Sequence, residues 1–486
     1  MAGDMSDTGT YYSKGVGLIY VFNLIVGTGA LTMPKAFQQA GWVLGLTTII
    51  ILSFMSFLTV TFVTEAMSVS NALLKKYNRM NHSINEEQDE INEERPLLLD
   101  GRINVQEYQT SPYDISLKTE LGHMASLFFN RIGRIMFNLC IVIYLYGDLA
   151  IYAAAVPKSV RDIACTYKIP HNASNCNNTE LTDDEPCWSG STISRMSMYR
   201  ICVGGFFLLL GGFTFFNVQK TKYLQLITTA SRWIAFGMMI TLALIRLSKD
   251  KGQGHPPLAD ISGMPNLFGV CVYSFMCHHS LPSLITPIKN KSRLYTVLGC
   301  DYILILLFYL LISFTGIYAF SEVNDIYTLN FLPDPCNDNN NITQVQFIQY
   351  FLALFPVFTL STNFPIISIT LRNNLKTIGY DESKPYTWFV DRIFFPVITL
   401  IPPLSVALAT NQVEFLVGIT GSYAGAGIQY IIPAMLVYCA RKQSYLFEEP
   451  NRHLSPFKGT FWVIFAVGWA IVCMGFVTVN HIISGE

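Results

Sequence analysis

Long runs of apolar residues constrain this chain more than any other feature of its sequence. Hydrophobic residues make up 51% of its 486 residues and charged residues only 13%. The apolar residues fall in runs of about 20, and a helix of that length spans the hydrocarbon core of a bilayer. Lipid offers no partner for exposed backbone N–H and C=O groups, so a spanning segment must be regular. The sequence therefore predicts an all-α membrane protein embedded in a lipid bilayer.

Eleven such runs predict eleven transmembrane helices. They lie at approximately 15–38, 42–70, 133–157, 198–217, 223–247, 264–287, 295–320, 345–370, 393–410, 412–440 and 459–482. The expected organisation is a tail (1–14), helices 1 and 2 (15–70), a charged linker (71–132), helices 3 to 11 (133–482) and a short C-terminus (483–486). The net charge of −1 excludes a nucleic-acid-binding surface. Neither an HExxH motif nor a Ser–His–Asp arrangement at simple spacing is present, so we expect no enzymatic activity.

The first apolar run is interrupted near its middle by Gly27-Thr28-Gly29. Glycine lowers helix propensity and permits close backbone approach, so the helix can unwind there. An unwound turn exposes N–H and C=O groups that can hold a carboxylate or a cation. Small-residue packing between membrane helices explains the same pattern, so this run alone leaves both interpretations open.

The sixth run carries a matching interruption. Tyr273 to Ser280 is polar for a membrane centre, and Pro282 follows Cys277 by five residues as Pro34 follows Gly29. Helices 1–5 and helices 6–10 would each form a unit of five helices. Because five is odd, the second unit would insert into the membrane with the opposite orientation to the first. Interrupted helices at corresponding positions of such repeats mark the site of many secondary transporters, although two unrelated kinks would give the same pattern. We predict a five-plus-five inverted repeat with discontinuous helices 1 and 6, plus an eleventh helix.

The loops indicate how the chain is oriented. Lys and Arg are enriched in the loops on the side of the N-terminus, which favours a cytosolic N-terminus and a luminal C-terminus. The glycosylation sequons at Asn172, Asn177 and Asn341 fall in the two long loops on the opposite side. The same loops contain Cys165, Cys176, Cys187 and Cys336, which predict one or two disulfides whose pairing the sequence leaves open.

A charged stretch from Lys75 to Ser116 predicts a disordered cytosolic linker. Within it, EERPLLL resembles the acidic dileucine signals that bind clathrin adaptors. The residues concerned are Glu93, Glu94, Leu97, Leu98 and Leu99. On this motif we expect an endosomal or lysosomal membrane rather than the plasma membrane, and the alternative is a solvated linker without a sorting role.

Three stretches resemble the amino acid/auxin permease family of the amino acid–polyamine–organocation superfamily. NLIVGTGALTMPKAFQQAGWVLG is similar to the first helix of that family, SFMCHHSLPSLITPIKN to the sixth and FPVFTLSTNFPIISITLRNNL to the eighth. The resemblance implies the five-plus-five fold with an eleventh helix. It also implies symport of a small amino acid with sodium or protons, and it leaves the substrate open.

An amino acid would meet backbone groups at the two breaks, because no Arg or Lys lies near them in the first or sixth run. The N–H groups of Thr28 and Gly29, aided by the helix dipole, would bind its carboxylate. Carbonyl groups from Tyr273 to Met276 would bind its ammonium group, with the side chains of Tyr273 and Phe275 as walls. The predicted substrate-binding residues are Gly27, Thr28, Gly29, Tyr273, Ser274, Phe275 and Met276.

The resemblance also implies a position for sodium, the only cofactor considered. It places carbonyl ligands at Asn23 and Val26 and hydroxyl ligands on the eighth helix, where Thr359 and Thr362 share a face. Such hydroxyls can instead bond to their own helix. Ionisable residues inside membrane spans are functional hypotheses by default, and we predict a proton relay through Asp148 and His278.

These observations favour a secondary active transporter that moves a small amino acid, or a related carboxylate, by alternating access coupled to sodium or protons. The alternative is a non-transporting nutrient sensor or scaffold that keeps the same fold. It would signal through the cytosolic linker.

Overall fold

The computed structural model describes residues 11–92, 111–167, 182–215, 222–333, 341–378, 387–447 and 449–484. Within these ranges the chain forms helices and turns but no β-strand. The helices are α1 Lys14–Ile25, α2 Gly29–Ala40, α3 Trp42–Asn92, α4 Leu121–Phe128, α5 Arg131–Ala164, α6 Arg195–Leu210, α7 Lys222–Ser248, α8 Met264–Ser274, α9 Leu281–Ile285, α10 Leu294–Ala319, α11 Gln346–Ile378, α12 Phe395–Ala409, α13 Val413–Thr420, α14 Ile432–Gln443 and α15 Thr460–Ser484.

The predicted all-α membrane class is confirmed. In the described part of the chain, nine helical segments are long and apolar enough to cross a membrane, and the pair α1–α2, bent by 55°, makes a tenth. One of the nine runs from α13 into α14 through π-helical turns. Large apolar side chains face outward, including Leu208, Phe461 and Ile482, which are 85%, 68% and 75% exposed. Exposure on this scale is unfavourable in water and is expected where lipid surrounds the helices.

The sixth predicted helix, 264–287, forms two short helices. α8 ends at Ser274, α9 begins at Leu281, and the backbone between them is not helical. Neither helix alone is long enough to cross a membrane. Ten crossings are therefore supported by length and composition, while the eleventh and the inverted repeat stay predictions.

The prediction that the stretch from Lys75 to Ser116 is disordered is wrong for the parts that the structure describes. α3 continues to Asn92, beyond the predicted end of helix 2. The chain from residue 111 then packs back on α3, where the Asn71 side-chain oxygen accepts hydrogen bonds from the amides of Ser116 at 3.0 Å and Leu117 at 2.7 Å. Buried apolar residues such as Tyr113 and Ile115 cause this packing, and the acidic average composition hid them. The sorting motif, Glu93 to Leu99, lies outside the described residues.

A buried ion pair joins α3 to the end of α14. Glu65 is 1% exposed, and its two carboxylate oxygens each accept a hydrogen bond at 2.8 Å from Arg441. The backbone amide of Ser455 donates to the same carboxylate at 3.0 Å. The bidentate ion pair and the hydrogen bond from the Ser455 amide offset the free-energy cost of removing both charges from water. The pair thereby holds the loop after α14 against α3.

We predict that Glu65→Ala lowers the free energy of unfolding by about 3–5 kcal/mol, because it leaves the Arg441 guanidinium without its counter-charge. Unfolding of the purified protein in detergent measures this. The matched control is Glu120→Ala, which removes a carboxylate from the exposed ion pair with Lys118. That change should cost at most about 1 kcal/mol, and equal losses in the two variants would contradict the assignment.

Candidate binding site at the two helix breaks

The two helix breaks pack directly against each other. α1 ends at Ile25 and α8 at Ser274, and the Tyr309 hydroxyl of α10 lies 2.9 Å and 2.8 Å from the carbonyl oxygens of these two residues. A Cβ atom added to Gly29, the first residue of α2, would lie 2.7 Å from the Ser274 Cα atom. Only glycine permits this approach, because the obstruction is backbone and cannot rotate away. The packing and the unwinding interpretations of this motif are thus both correct, at different residues.

The first break leaves backbone N–H groups free. Val26 donates to the Phe22 carbonyl at 2.8 Å and Ala30 donates to the Gly27 carbonyl at 3.2 Å. Between them, the amides of Gly27, Thr28 and Gly29 have no acceptor among the described residues. They lie at the N-terminus of α2, where the helix dipole favours an anion.

Open space lies beside Gly27. A Cβ atom added there would meet nothing closer than 3.9 Å, and its nearest neighbours are carbonyl oxygens of the preceding turn. The break is therefore packed tightly at Gly29 and open at Gly27, two residues earlier. An alanine side chain would therefore fit at Gly27 but not at Gly29.

One face of α5 lines the breaks. Tyr144, Asp148 and Tyr152 recur at four-residue intervals and so share that face. The Tyr273 hydroxyl donates to Asp148 Oδ1 at 2.7 Å, and the Tyr144 and Tyr273 ring centroids lie 6.3 Å apart. Sequence reasoning found Asp148 and missed both α5 tyrosines, although their spacing from Asp148 was a usable signal.

Three of the four carbonyls predicted to bind an ammonium group, those of Tyr273, Ser274 and Phe275, already accept hydrogen bonds. The Tyr309 hydroxyl donates to the Ser274 carbonyl, and the Ser56 hydroxyl donates to the Phe275 carbonyl at 3.3 Å. The Met276 amide donates to the Tyr273 carbonyl at 3.2 Å. The Phe275 side chain is fully buried among aromatic rings and lines no open space. Asp148 is the acidic group that the fold brings to the breaks, and it offers a second partner for an ammonium group.

Each of the four groups expected to bind sodium takes part in a hydrogen bond. The carbonyls of Asn23 and Val26 accept hydrogen bonds from Arg232 Nη1 at 2.6 Å and 3.0 Å. The Thr359 hydroxyl donates to the carbonyl four residues earlier at 3.0 Å, and the Thr362 hydroxyl donates to the Thr359 carbonyl at 2.9 Å. The hydroxyls bond to their own helix, which was the alternative interpretation, and a guanidinium group holds the carbonyls. The fixed positive charge of Arg232 at the two carbonyls disfavours a sodium ion beside them.

His278 is fully buried and bonds elsewhere. Its Nε2 atom lies 2.9 Å from the Thr59 hydroxyl of α3, and its Nδ1 atom has no partner among the described residues. No hydrogen bond joins His278 to Asp148 in the described part of the chain. The structure thus leaves the two residues of the predicted proton relay unconnected.

A cavity of about 1010 Å³ opens at the end of the bundle that carries a Cys165–Cys187 disulfide. Gln39 of α2, Asn266 of α8 and Glu414 of α13 line it, whereas no residue of either break does. Gln39 donates to Glu414 Oε2 at 3.1 Å, and Asn266 donates to the other carboxylate oxygen. This contact among three helices, which we call the Glu414 layer, forms part of the cavity wall.

The remaining predicted loop sites are only partly described. Asn341 lines the cavity. Cys176, Cys336, Asn172 and Asn177 lie outside the described residues.

Comparisons with known proteins agree with this architecture. The sequence profile of the family described as transmembrane amino acid transporter protein matches residues 13–478. The chain is 52% identical to Transmembrane protein 104 of Gallus gallus over 100% of this chain and 99% of that protein. It is 51% identical to the Homo sapiens protein of that name, over 100% and 99%, and 45% identical to a Drosophila melanogaster homolog, over 96% and 97%. The predicted resemblance is confirmed, and the chain belongs to the family of transmembrane amino acid transporter proteins.

Proposed function

We propose that this protein binds a small amino acid at the break between α1 and α2 and carries it across the membrane by alternating access. The observation that carries the proposal is the set of amide groups at Gly27, Thr28 and Gly29 that lack an acceptor in the described structure. Buried N–H groups without a partner cost free energy, and a carboxylate would form charge-assisted hydrogen bonds with them. Membership of an amino acid transporter family supports the same substrate class.

The two breaks would act as equivalent halves of one site. In this proposal α8 and α9 together form the eleventh crossing, as α1 and α2 form the first, within a five-plus-five inverted repeat. The single Tyr309 hydroxyl between the terminal carbonyls of α1 and α8 supports this equivalence. The Glu414 layer would close the site on the side of the disulfide, and alternating access requires that layer to open.

Orientation and location belong to the same proposal. The N-terminus would face the cytosol, and the disulfide and a glycosylated Asn341 would face the lumen of an endosome or lysosome. The dileucine motif would recruit clathrin adaptors to direct the protein there. A disulfide at one end of the bundle is consistent with an oxidising compartment on that side.

Protons would drive the transport, through Asp148. This carboxylate is 6% exposed and accepts a hydrogen bond from Tyr273, the residue before the end of α8 at the second break. A carboxylate at this position can take up a proton on one side of the membrane and release it on the other as the site changes access. His278 would instead hold α3 against the second break through Thr59.

The proposal is tested by uptake into liposomes that contain the purified protein. A panel of amino acids is offered at an acidic and at a neutral external pH, with sodium or choline as the cation. We expect uptake of at least one amino acid, with no competition from an analogue that lacks the carboxylate. The absence of uptake and exchange for every amino acid contradicts transport, and binding without flux would indicate the sensor.

We predict that Gly27→Ala reduces uptake about tenfold. The added methyl group would occupy the space beside the free amides and remove about one hydrogen bond to the carboxylate of the substrate. The thermal stability of this variant should not fall, since that methyl group meets no side chain. Gly29→Ala should instead lower stability, because of its approach to Ser274. Gly204→Ala, with nothing within 4 Å of the new atom, is the control. Normal uptake by Gly27→Ala would remove the carboxylate site from this break.

We predict that Asp148→Asn abolishes the stimulation of uptake by an acidic external pH while exchange of internal for external amino acid continues. The amide still accepts the hydrogen bond from Tyr273 but cannot take up a proton. His278→Gln, which keeps a partner for Thr59, should retain the pH dependence. Stimulation by acid that survives in Asp148→Asn would exclude this residue as the proton carrier.

A further inference from the structure

Arg232 brings a fixed positive charge from α7 to the end of α1. Its Nη1 atom donates to the carbonyls of Asn23 at 2.6 Å and Val26 at 3.0 Å, and its buried Nε atom has no partner among the described residues. The guanidinium group is therefore held by carbonyl oxygens, which are the groups that a bound metal cation would use.

The carbonyls that it contacts carry partial negative charge. α1 ends at Ile25, and Val26 has φ −76° and ψ 85°, so its carbonyl has left the helical ladder. Carbonyls at the C-terminal end of a helix lack intrahelical donors and lie at the negative end of the helix dipole. A cation at this position therefore completes the end of α1.

The neighbouring residue reinforces the contact. The Trp233 indole N–H donates to the Asn23 side-chain oxygen at 2.7 Å, and its ring stacks on Phe22 with ring centroids 4.6 Å apart. Asn23 is therefore bound through its backbone by Arg232 and through its side chain by Trp233. Two consecutive residues of α7 fix the last turn of α1, directly before the free amides that begin at Gly27.

A sodium ion at this position would have to share the Asn23 and Val26 carbonyls with Arg232. Sodium needs several oxygen ligands. The Thr359 and Thr362 hydroxyls of α11 donate to carbonyls of their own helix and keep their oxygen lone pairs, so it is the guanidinium group at the Asn23 and Val26 carbonyls that argues against an ion there. A guanidinium group keeps its charge at every physiological pH, so an ion at the same carbonyls would also be repelled by a fixed like charge.

We propose that Arg232 is a built-in cation that replaces sodium at the end of α1, so that the first break keeps its conformation without a bound ion. The consequence goes beyond the substrate: neither the folded state nor the binding site depends on sodium. Removal of the guanidinium group should open a cation-sized site bordered by the Asn23 and Val26 carbonyls.

The test follows thermal unfolding of the purified full-length protein in detergent, in sodium, potassium or choline chloride at equal ionic strength. The midpoint of the wild type should be the same in all three salts. Arg232→Ala should unfold at a lower temperature in choline, and sodium or potassium should raise that midpoint by roughly 2 °C or more in a saturable manner. Saturable stabilisation of the wild type by sodium overturns the proposal, as does an Arg232→Ala protein that responds to neither metal ion.

Two further variants complete the test. Arg232→Lys keeps a cation near the carbonyls and should not respond to sodium. Arg246→Ala removes another buried arginine of α7, one that donates to the Lys251 carbonyl, and it too should stay insensitive to sodium. If Arg232→Ala does not fold, the wild type and Arg232→Lys still decide the question, since sodium stabilisation of either one contradicts a built-in cation. None of these measurements requires transport, so their outcome is separable from that of the uptake assay.

Discussion

A helix that breaks inside a membrane exposes backbone N–H and C=O groups that lipid cannot satisfy, and the rest of this structure depends on how those groups are partnered. The protein supplies partners mainly for the carbonyls. The Tyr309 hydroxyl lies within hydrogen-bond distance of the last carbonyl of both α1 and α8. Arg232 donates to the carbonyls of Asn23 and Val26, and Ser56 donates to the Phe275 carbonyl of the second break. These donors come from α10, α7 and α3, so the breaks are stable only within the assembled bundle. Each of these contacts therefore ties a distant helix to the two breaks.

The amides at the first break are treated differently from the carbonyls. From Gly27 to Gly29 they have no acceptor in the described structure, and they point out of the N-terminus of α2. A break whose carbonyls are occupied and whose amides are free is electrostatically suited to an anion rather than a cation. Arg232 strengthens this preference, because it adds a positive charge where a metal ion could otherwise bind. The carboxylate of Asp148 accepts a hydrogen bond from Tyr273 at the end of α8, so the second break carries an acidic group and the first break carries free amides.

The fold class and the break at Gly27–Gly29 follow from local sequence, since hydropathy and glycine content act over one helix length. The site could be predicted only in part. Asp148 was identifiable because a carboxylate within an apolar run is unusual, and Tyr144 and Tyr152 could have been inferred from their spacing to it. Arg232 and Tyr309 could not be placed, because each lies in a different run more than two hundred residues from α1 and nothing local reveals which helices become neighbours. The linker was misjudged for a related reason: its composition is acidic on average, but the few apolar side chains around Tyr113 decide whether it packs.

From the sequence follow the membrane-spanning class of the chain, with eleven predicted helices where the structure supports ten, the interruption of two apolar runs, and membership of the amino acid transporter family. Each of these depends on residue types counted along one stretch of chain. Only the packing of the helices determines which N–H and C=O groups at the breaks lack a hydrogen-bond partner. It brought Gly29 against Ser274, gave the Asn23 and Val26 carbonyls to a guanidinium group, and left the amides beside Gly27 open. The physical reason is that hydrogen-bond partners inside a membrane protein come from helices distant in sequence, so the chemistry of a break is set by the side chains that reach it.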